Sequence, residues 1–143
     1  MKSNLIVASA VAALFSLGLL SPAQAEMIEL FAELTGDGAG SGEFSGTFDT
    51  DSREISWVVS YQGLSGPLIG AHIHGPAEPG ENAGILVGFE GIENNAFSGA
   101  EVLDAAVVDD LLAGRYYANL HTDANPGGEI RGHIMPLDSG MMN

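Results

Sequence analysis

Apolar and polar residues alternate along much of this chain, in short segments that glycine-rich stretches separate. In residues 27–35 every second residue from Ile28 to Leu34 is apolar, a period that is typical of a strand with one buried face. The segment 53–62 repeats this pattern and contains the one tryptophan, Trp57. Further strands are predicted at 43–50, around the histidine pair at 72–74, and at 84–89, 96–102, 115–121 and 129–135.

One segment has the spacing of a helix instead. Asp104 is suited to cap a short helix that ends at Gly114, with its apolar residues at Ala105, Val108, Leu111 and Leu112. Roughly seven or eight short strands with one minor helix are typical of an all-β domain. We predict an antiparallel β-sandwich of Greek-key-like topology, whose last two strands pair as a hairpin around residues 125–128.

Residues 1–25 have the pattern of an export signal rather than of a folded segment. Lys2 supplies a positive start, residues 5–20 are apolar, and residues 21–25 end in an Ala-x-Ala cleavage site. A membrane anchor is the competing interpretation, but the apolar segment is marginal in length and no basic flank follows it. We expect export to the periplasm or the extracellular space, with no transmembrane segment after cleavage. The folded domain is then 26–143, with a loose tail at 136–143.

Charge and cysteine content narrow the possible partners. All 19 acidic residues follow Ala25 and only three cations do, so the chain after cleavage carries a formal charge of −16. Such an acidic protein is not expected to bind nucleic acid or anionic lipid, because phosphate binding needs Lys and Arg. It is expected to be soluble and to attract cations. The absence of cysteine excludes thiolate metal sites, iron–sulfur clusters and cysteine nucleophiles.

Three of the four histidines lie in two short segments. His72 and His74 are two positions apart on a predicted strand, so their side chains share one face, roughly 6–7 Å apart along the strand. His121 lies just before the turn of the terminal hairpin. If the two segments meet, three imidazoles converge on one point, and without sulfur ligands such a site suits Zn²⁺ or Cu²⁺. We therefore predict a metal site at His72, His74 and His121.

Neighbouring residues are candidates for supporting roles. Glu129 and Asp123 are candidates for an oxygen ligand, and His133 for a further imidazole ligand. Asn119 is a candidate for orienting the ligands from outside. Copper(I) is a further option, because three methionines lie near the end of the chain, at Met135, Met141 and Met142. The alternative without metal is that the histidines bond to one another, to Arg131 and to the backbone in a polar network.

Arg131 is one of the three cations after Ala25 and has two interpretations. The simpler one is a charge partner for Glu129 or Asp123, since ion pairs commonly organise hairpin ends. The other is a clamp for an anion or a carboxylate beside a metal, which places Arg131 in the surroundings of the site.

Several segments together resemble the CHRD domain, a module named from chordin that is widespread in bacterial exported proteins. They are Phe31–Gly36, Ala71–Ala77, Tyr117–Thr122 and Asn125–Gly132. The resemblance implies a β-sandwich outside the cytoplasm but no settled activity. Two departures stand out: residues 37–41 replace an acidic-Val-Pro-Pro stretch of the family, and His133 stands where the family more often has glutamine.

Three functions follow as hypotheses. The first is an exported protein that binds copper or zinc through the three histidines. The second is a structural or interaction module of the cell envelope or matrix that binds a protein partner and no metal. An enzyme is not expected, because no Ser-His-Asp order, paired catalytic acids or phosphate loop is recognisable. Metal-dependent redox or hydrolytic chemistry at an open coordination position is the one catalytic option.

The His-x-His pattern on a sandwich strand also resembles copper/zinc superoxide dismutase at the level of architecture. The zinc-loop histidines and the cysteines of that enzyme have no counterparts in this sequence. Dismutase activity is therefore not expected.

Overall fold

The computed structural model describes residues 24–137, and most of them belong to antiparallel strands. The strands are β1 (Met27–Thr35), β2 (Ser41–Asp49), β3 (Glu54–Gln62), β4 (Leu68–His74), β5 (Ile85–Gly88), β6 (Ala96–Val102), β7 (Tyr117–Thr122), β8 (Ile130–His133) and β9 (Met135–Pro136). A 3₁₀ turn at Ala105–Val107 leads into a single short helix within this part of the chain, α1 (Val108–Leu112).

The strands form a nearly closed sheet in the order β5-β4-β7-β8-β1-β2-β3-β6, and β9 also pairs with β1. The two edge strands approach each other through aromatic contacts. Phe89, which follows β5, has its ring centroid 5.2 Å from that of Trp57 and 5.4 Å from that of Phe97. The sheet thus curls around one core, and the predicted antiparallel all-β sandwich is confirmed.

The core follows the alternation of the strands. In β1, Leu30, Ala32 and Leu34 are buried, while the residues between them are more exposed. Facing strands contribute further fully buried side chains, among them Phe44 and Ile73. Burial of each large apolar side chain stabilises the fold by about 1.5–3 kcal/mol. With no disulfide in the chain, this core carries the stability of the domain.

The predicted short helix is present. The carboxylate of Asp104 accepts a hydrogen bond from the backbone N–H of Ala106 at 2.9 Å, and Gly114 follows the helix with a φ of 74°. Leu111 is the buried residue of the helix, and the partly buried Val108 and Leu112 also pack against the core. Ala105 is exposed, because the first turn is a 3₁₀ turn and therefore does not continue the apolar face of α1.

The first two residues of the predicted loose tail, 136 and 137, are bonded to the sheet. Pro136 lies in β9 opposite Leu30, and the backbone N–H of Leu137 donates to the carbonyl of Glu29 at 2.8 Å. β8 lies between β7 and β1, and the residues after it continue to pair with β1, which keeps residues 135–137 in the sheet. The rest of the predicted tail, 138–143, and residues 1–23 of the predicted signal lie outside the described residues. Within 24–137, no helix has the length and apolar character needed to cross a bilayer.

Gly132 allows the close approach of β8 to β1. A Cβ atom at this position would clash with the carbonyl oxygen of Glu33. We expect Gly132→Ala to lower the free energy of unfolding by about 1–3 kcal/mol, because the backbone must shift to admit the methyl group. Gly38→Ala is the matched control, since nothing lies within 4 Å of its added Cβ atom. Equal denaturation midpoints for the two variants in urea would contradict this account.

Candidate metal centre

Pairing between β4 and β7 brings the two histidine segments together. His72 lies opposite Asn119, His74 opposite Tyr117, and Gly70 opposite His121. Residues that face each other across an antiparallel pair project from the same side of the sheet. The three histidines therefore share one face. His121 lies two residues further along β7 than Asn119, the residue opposite His72.

The three rings form a compact cluster. Their centroids are 5.0 Å apart for His72 and His121, 5.3 Å for His72 and His74, and 5.6 Å for His74 and His121. One ring nitrogen from each histidine lies within 4.8 Å of a nitrogen from each of the others. The predicted convergence of His72, His74 and His121 is therefore present.

Backbone carbonyls hold two of the rings. Nδ1 of His74 is 3.0 Å from the carbonyl oxygen of Ala83, and Nδ1 of His121 is 2.9 Å from that of Pro126. A carbonyl oxygen can only accept, so Nδ1 carries the proton and donates in both rings. This tautomer leaves the lone pair on Nε2 of His74 and of His121, which is the arrangement of a metal-ligating histidine.

Each ring also has one buried nitrogen without a hydrogen-bond partner. These atoms are Nδ1 of His72, Nε2 of His74 and Nε2 of His121. Leaving a buried polar atom unpaired typically costs about 1–3 kcal/mol. Of the predicted polar network, the bonds from two rings to backbone carbonyls are present. Among the described residues, no hydrogen bond joins the three rings to one another or to Arg131.

The environment of two of the imidazoles disfavours their protonated form and lowers their pKa values. Burial lowers the pKa of His72, and the neighbouring His121 and His74 lower it further. Burial also lowers the pKa of His74, and the charges of His121 and Arg131 act in the same direction. The hydrogen bond to Ala83 opposes this by favouring the protonated ring. A neutral imidazole has the lone pair that metal coordination requires.

Tyr117 packs against the histidine cluster and was not among the sequence candidates. Its ring is buried and stacks on that of His74, with centroids 5.3 Å apart and an angle of 10° between the planes. Its hydroxyl oxygen accepts a hydrogen bond from the N–H of Ala83 at 3.0 Å. Tyr117 thus positions both the ring of His74 and the loop that binds it. The only sequence signal was its place two and four positions before Asn119 and His121.

Asn119 acts on the loop that holds His121. It is buried, and its amide N–H donates to the carbonyl of Gly127 at 3.2 Å. Gly127 follows Pro126, whose carbonyl accepts from His121. Asn119 therefore lies outside the ligand cluster and orients it indirectly, in the supporting position that the sequence suggested.

Arg131 does not pair with Glu129 or Asp123. Its guanidinium donates to the carbonyl of Glu81 at 3.4 Å and to the side-chain oxygen of Asn82 at 3.0 Å, and its carbon lies 5.1 Å from the centre of the Tyr117 ring. The simpler interpretation of this residue is therefore wrong. Arg131 faces the side of the sheet that carries Asn119, its partner across the strands.

Glu129 lies on the other side of the sheet and is not among the clustered ligand atoms. Its carboxylate accepts from the N–H and hydroxyl of Ser65 at 2.7 and 2.6 Å, from Thr122 at 2.6 Å and from Asn125 at 3.4 Å. These bonds, those of Ser65 and Thr122 above all, lower the pKa of Glu129 to about 2. Glu129, a candidate oxygen ligand, is therefore not placed with the histidines, because its side chain bonds to Thr122, which points away from the face of His121.

The remaining candidates also lie outside the cluster. Nδ1 of His133 donates to the carbonyl of Gly114 at 2.8 Å, and its ring contacts Tyr117 with centroids 5.6 Å apart. Asp123 is exposed and is not in the group of clustered ligand atoms. Met135 is half-exposed beside Gly114, whereas Met141 and Met142 lie beyond the described residues.

Comparison with known proteins connects this site to a family. The family described as CHRD domain matches residues 21–134, which include all three clustered histidines and most of the chain. Neither the curated proteins nor the solved structures contain a match.

Glu129 ties the turn of the β7–β8 hairpin to the segment before β4. We expect Glu129→Gln to lower the thermal midpoint, because an amide replaces one of the oxygens that accept these bonds. The carboxylate has a lowered pKa, so its stabilisation is present above pH 4.5 and is lost as the pH falls towards about 2. Melting curves between those pH values should depend less steeply on pH in the variant. Asp123→Asn, at an exposed carboxylate, is the control, and an equal response of both variants would refute this role.

The lowered pKa values of His72 and His74 predict how the stability of the metal-free protein depends on pH. Because their pKa values are lowered from 6.5, the unfolded chain binds protons first, and stability falls as the pH drops below 6.5. NMR titration of the metal-free protein should show both rings titrating below pH 6.5. Midpoints at or above that value would mean that the rings are more hydrated than the structure indicates.

Proposed function

The chain belongs to the CHRD domain family, and from that premise we propose that it is an exported protein that binds Cu²⁺ or Zn²⁺ through His72, His74 and His121. One observation carries this proposal. Each of the three rings offers a nitrogen within 4.8 Å of a nitrogen of the other two, and each ring has one buried nitrogen without a hydrogen-bond partner. A transition-metal ion would satisfy all three nitrogens at once, whereas a hydrogen-bonding group would have to be inserted for each.

The donor set suits these two metals. Three imidazoles without a thiolate favour Zn²⁺ and Cu²⁺, and Cu²⁺ binds more tightly to a given set of nitrogen ligands. Nitrogens around one tetrahedral ion lie about 3.4 Å apart, so small ring rotations from the observed cluster would be sufficient. The carbonyls of Ala83 and Pro126 limit those rotations, because they hold the opposite nitrogen of two rings.

Export is supported by the pattern of residues 1–25 and suits the rest of the chain. A protein outside the cytoplasm meets metal ions that are less strictly buffered by thiols, and the formal charge of −16 expected after cleavage attracts cations over the whole surface. We assign binding to the site and no catalytic step. Three protein ligands leave at least one coordination position of the ion open to another ligand.

The proposal is tested by calorimetric titration of the metal-free protein with Cu²⁺ and with Zn²⁺. The variants His72→Ala, His74→Ala and His121→Ala should each weaken binding by at least about 100-fold, since each removes a ligand. His133→Ala is the matched control, because that imidazole bonds to Gly114 and lies outside the cluster. Binding should also weaken as the pH falls below about 6, where protons compete for the rings.

A second measurement separates loss of ligands from loss of fold. At a metal concentration of 100 times Kd, binding should stabilise the wild type by about 2.7 kcal/mol, and the near-UV circular dichroism of each variant reports its packing. Equally weak binding by the wild type and by folded variants would reject the metal site. The interaction module without metal would then be the better description.

A further inference from the structure

A cleft of about 550 Å³ opens beside the histidine cluster. Its walls include two of the proposed ligands, His74 and His121, together with Asn82, Tyr117, Asn119 and Arg131. The chain has 19 acidic residues, yet none of the residues that line this cleft is Asp or Glu. The cleft is therefore set apart in charge from the rest of the molecule.

Arg131 supplies the positive charge of the cleft. Arg115, which precedes β7, is paired with Asp110 at 2.9 Å and with Glu78 at 3.3 Å. Arg131 has no carboxylate within 4.0 Å among residues 24–137, and its two hydrogen bonds go to neutral oxygens. A guanidinium has five N–H donors in a planar fork, so donors remain for a further acceptor.

Arg131 and two of the clustered histidines line the same cleft. The guanidinium carbon and the ring of His74 both contact the Tyr117 ring, at 5.1 and 5.3 Å from its centre. The carbonyl of Glu81 and the side chain of Asn82 hold the guanidinium in the loop that also carries Ala83, the partner of His74. The same loop thus positions a cation and a metal ligand.

Charge balance then specifies the missing partner. Imidazole ligands bring no negative charge to offset that of a divalent ion, and Arg131 adds another positive charge in the same cleft. We propose that the metal-loaded cleft binds a carboxylate, which the Arg131 fork holds while one of its oxygens completes the coordination of the ion. This inference rests on the proposed function, since without the metal the cleft lacks half of the site.

A carboxylate of this kind has two sources, a free small acid or the C-terminus of a peptide. The probes are acetate for the first and N-acetylglycine for the second, with the neutral N-acetylglycinamide as the matched control. Each is titrated into Cu²⁺-loaded protein, and the visible absorption and EPR spectra of the copper report ligand exchange. We expect both carboxylates to change the spectra in a saturable way and the amide to leave them unchanged.

The decisive comparison is Arg131→Gln against Arg53→Gln, which removes the same charge in the turn between β2 and β3, outside the cleft. Arg131→Gln should weaken carboxylate binding about tenfold, whereas Arg53→Gln should leave it unchanged. Arg131→Lys, which keeps the charge but not the fork, should give an intermediate value. Preference for N-acetylglycine over acetate would identify a peptide terminus as the natural source.

The outcomes distinguish this inference from the proposed function. If Cu²⁺ binds normally but carboxylates bind equally well to wild type and Arg131→Gln, the carboxylate site is wrong and the metal site stands. The same conclusion follows if N-acetylglycinamide changes the copper spectra as strongly as N-acetylglycine does. If the wild type binds no Cu²⁺ in the absence of any probe, both proposals fail.

Discussion

The register between β4 and β7 is the constraint on which the site depends. It sets His72 opposite Asn119 and His74 opposite Tyr117, so two distant segments contribute to one face. A shift of one residue would send the histidines to the core side and the apolar Ile73 and Leu120 to the cleft. Burial of these apolar residues therefore holds the imidazoles in place, and the stability of the sheet and the geometry of the cluster have the same origin.

Loops complete what the strands begin. The loop before β5 supplies the carbonyl of Ala83, and the β7–β8 turn supplies that of Pro126. Tyr117 and Asn119 bind these two loops from the sheet, while Glu129 ties the second loop to Ser65 from the opposite side. The result is a pair of rings whose tautomer and direction are set by the protein itself. Coordination of the proposed metal would offset the cost of burying their unpaired nitrogens.

The two faces of the β7–β8 hairpin carry different ionisable groups. Carboxylate chemistry lies on the side of Thr122, where Glu129 is fully hydrogen-bonded and its pKa is lowered to about 2. The opposite side has the imidazoles and Arg131, without an acidic residue in the cleft wall. A chain with an overall negative charge thus has one local region that is suited to a cation and an anion together. This division would be invisible from net charge alone.

The sequence by itself determined the strands, the capped helix, the pairing of the terminal hairpin and the identity of the three clustered histidines. These features depend on local periodicity and on residues that are neighbours within one strand or turn. Only the tertiary structure decided the roles of Glu129, Arg131 and Tyr117. The sequence made Glu129 a candidate ligand, but its carboxylate bonds to Thr122 and Ser65 instead. Arg131 finds its partners about fifty residues earlier in the chain. Contacts between segments so far apart depend on how the sheet closes, which no local pattern of residues specifies.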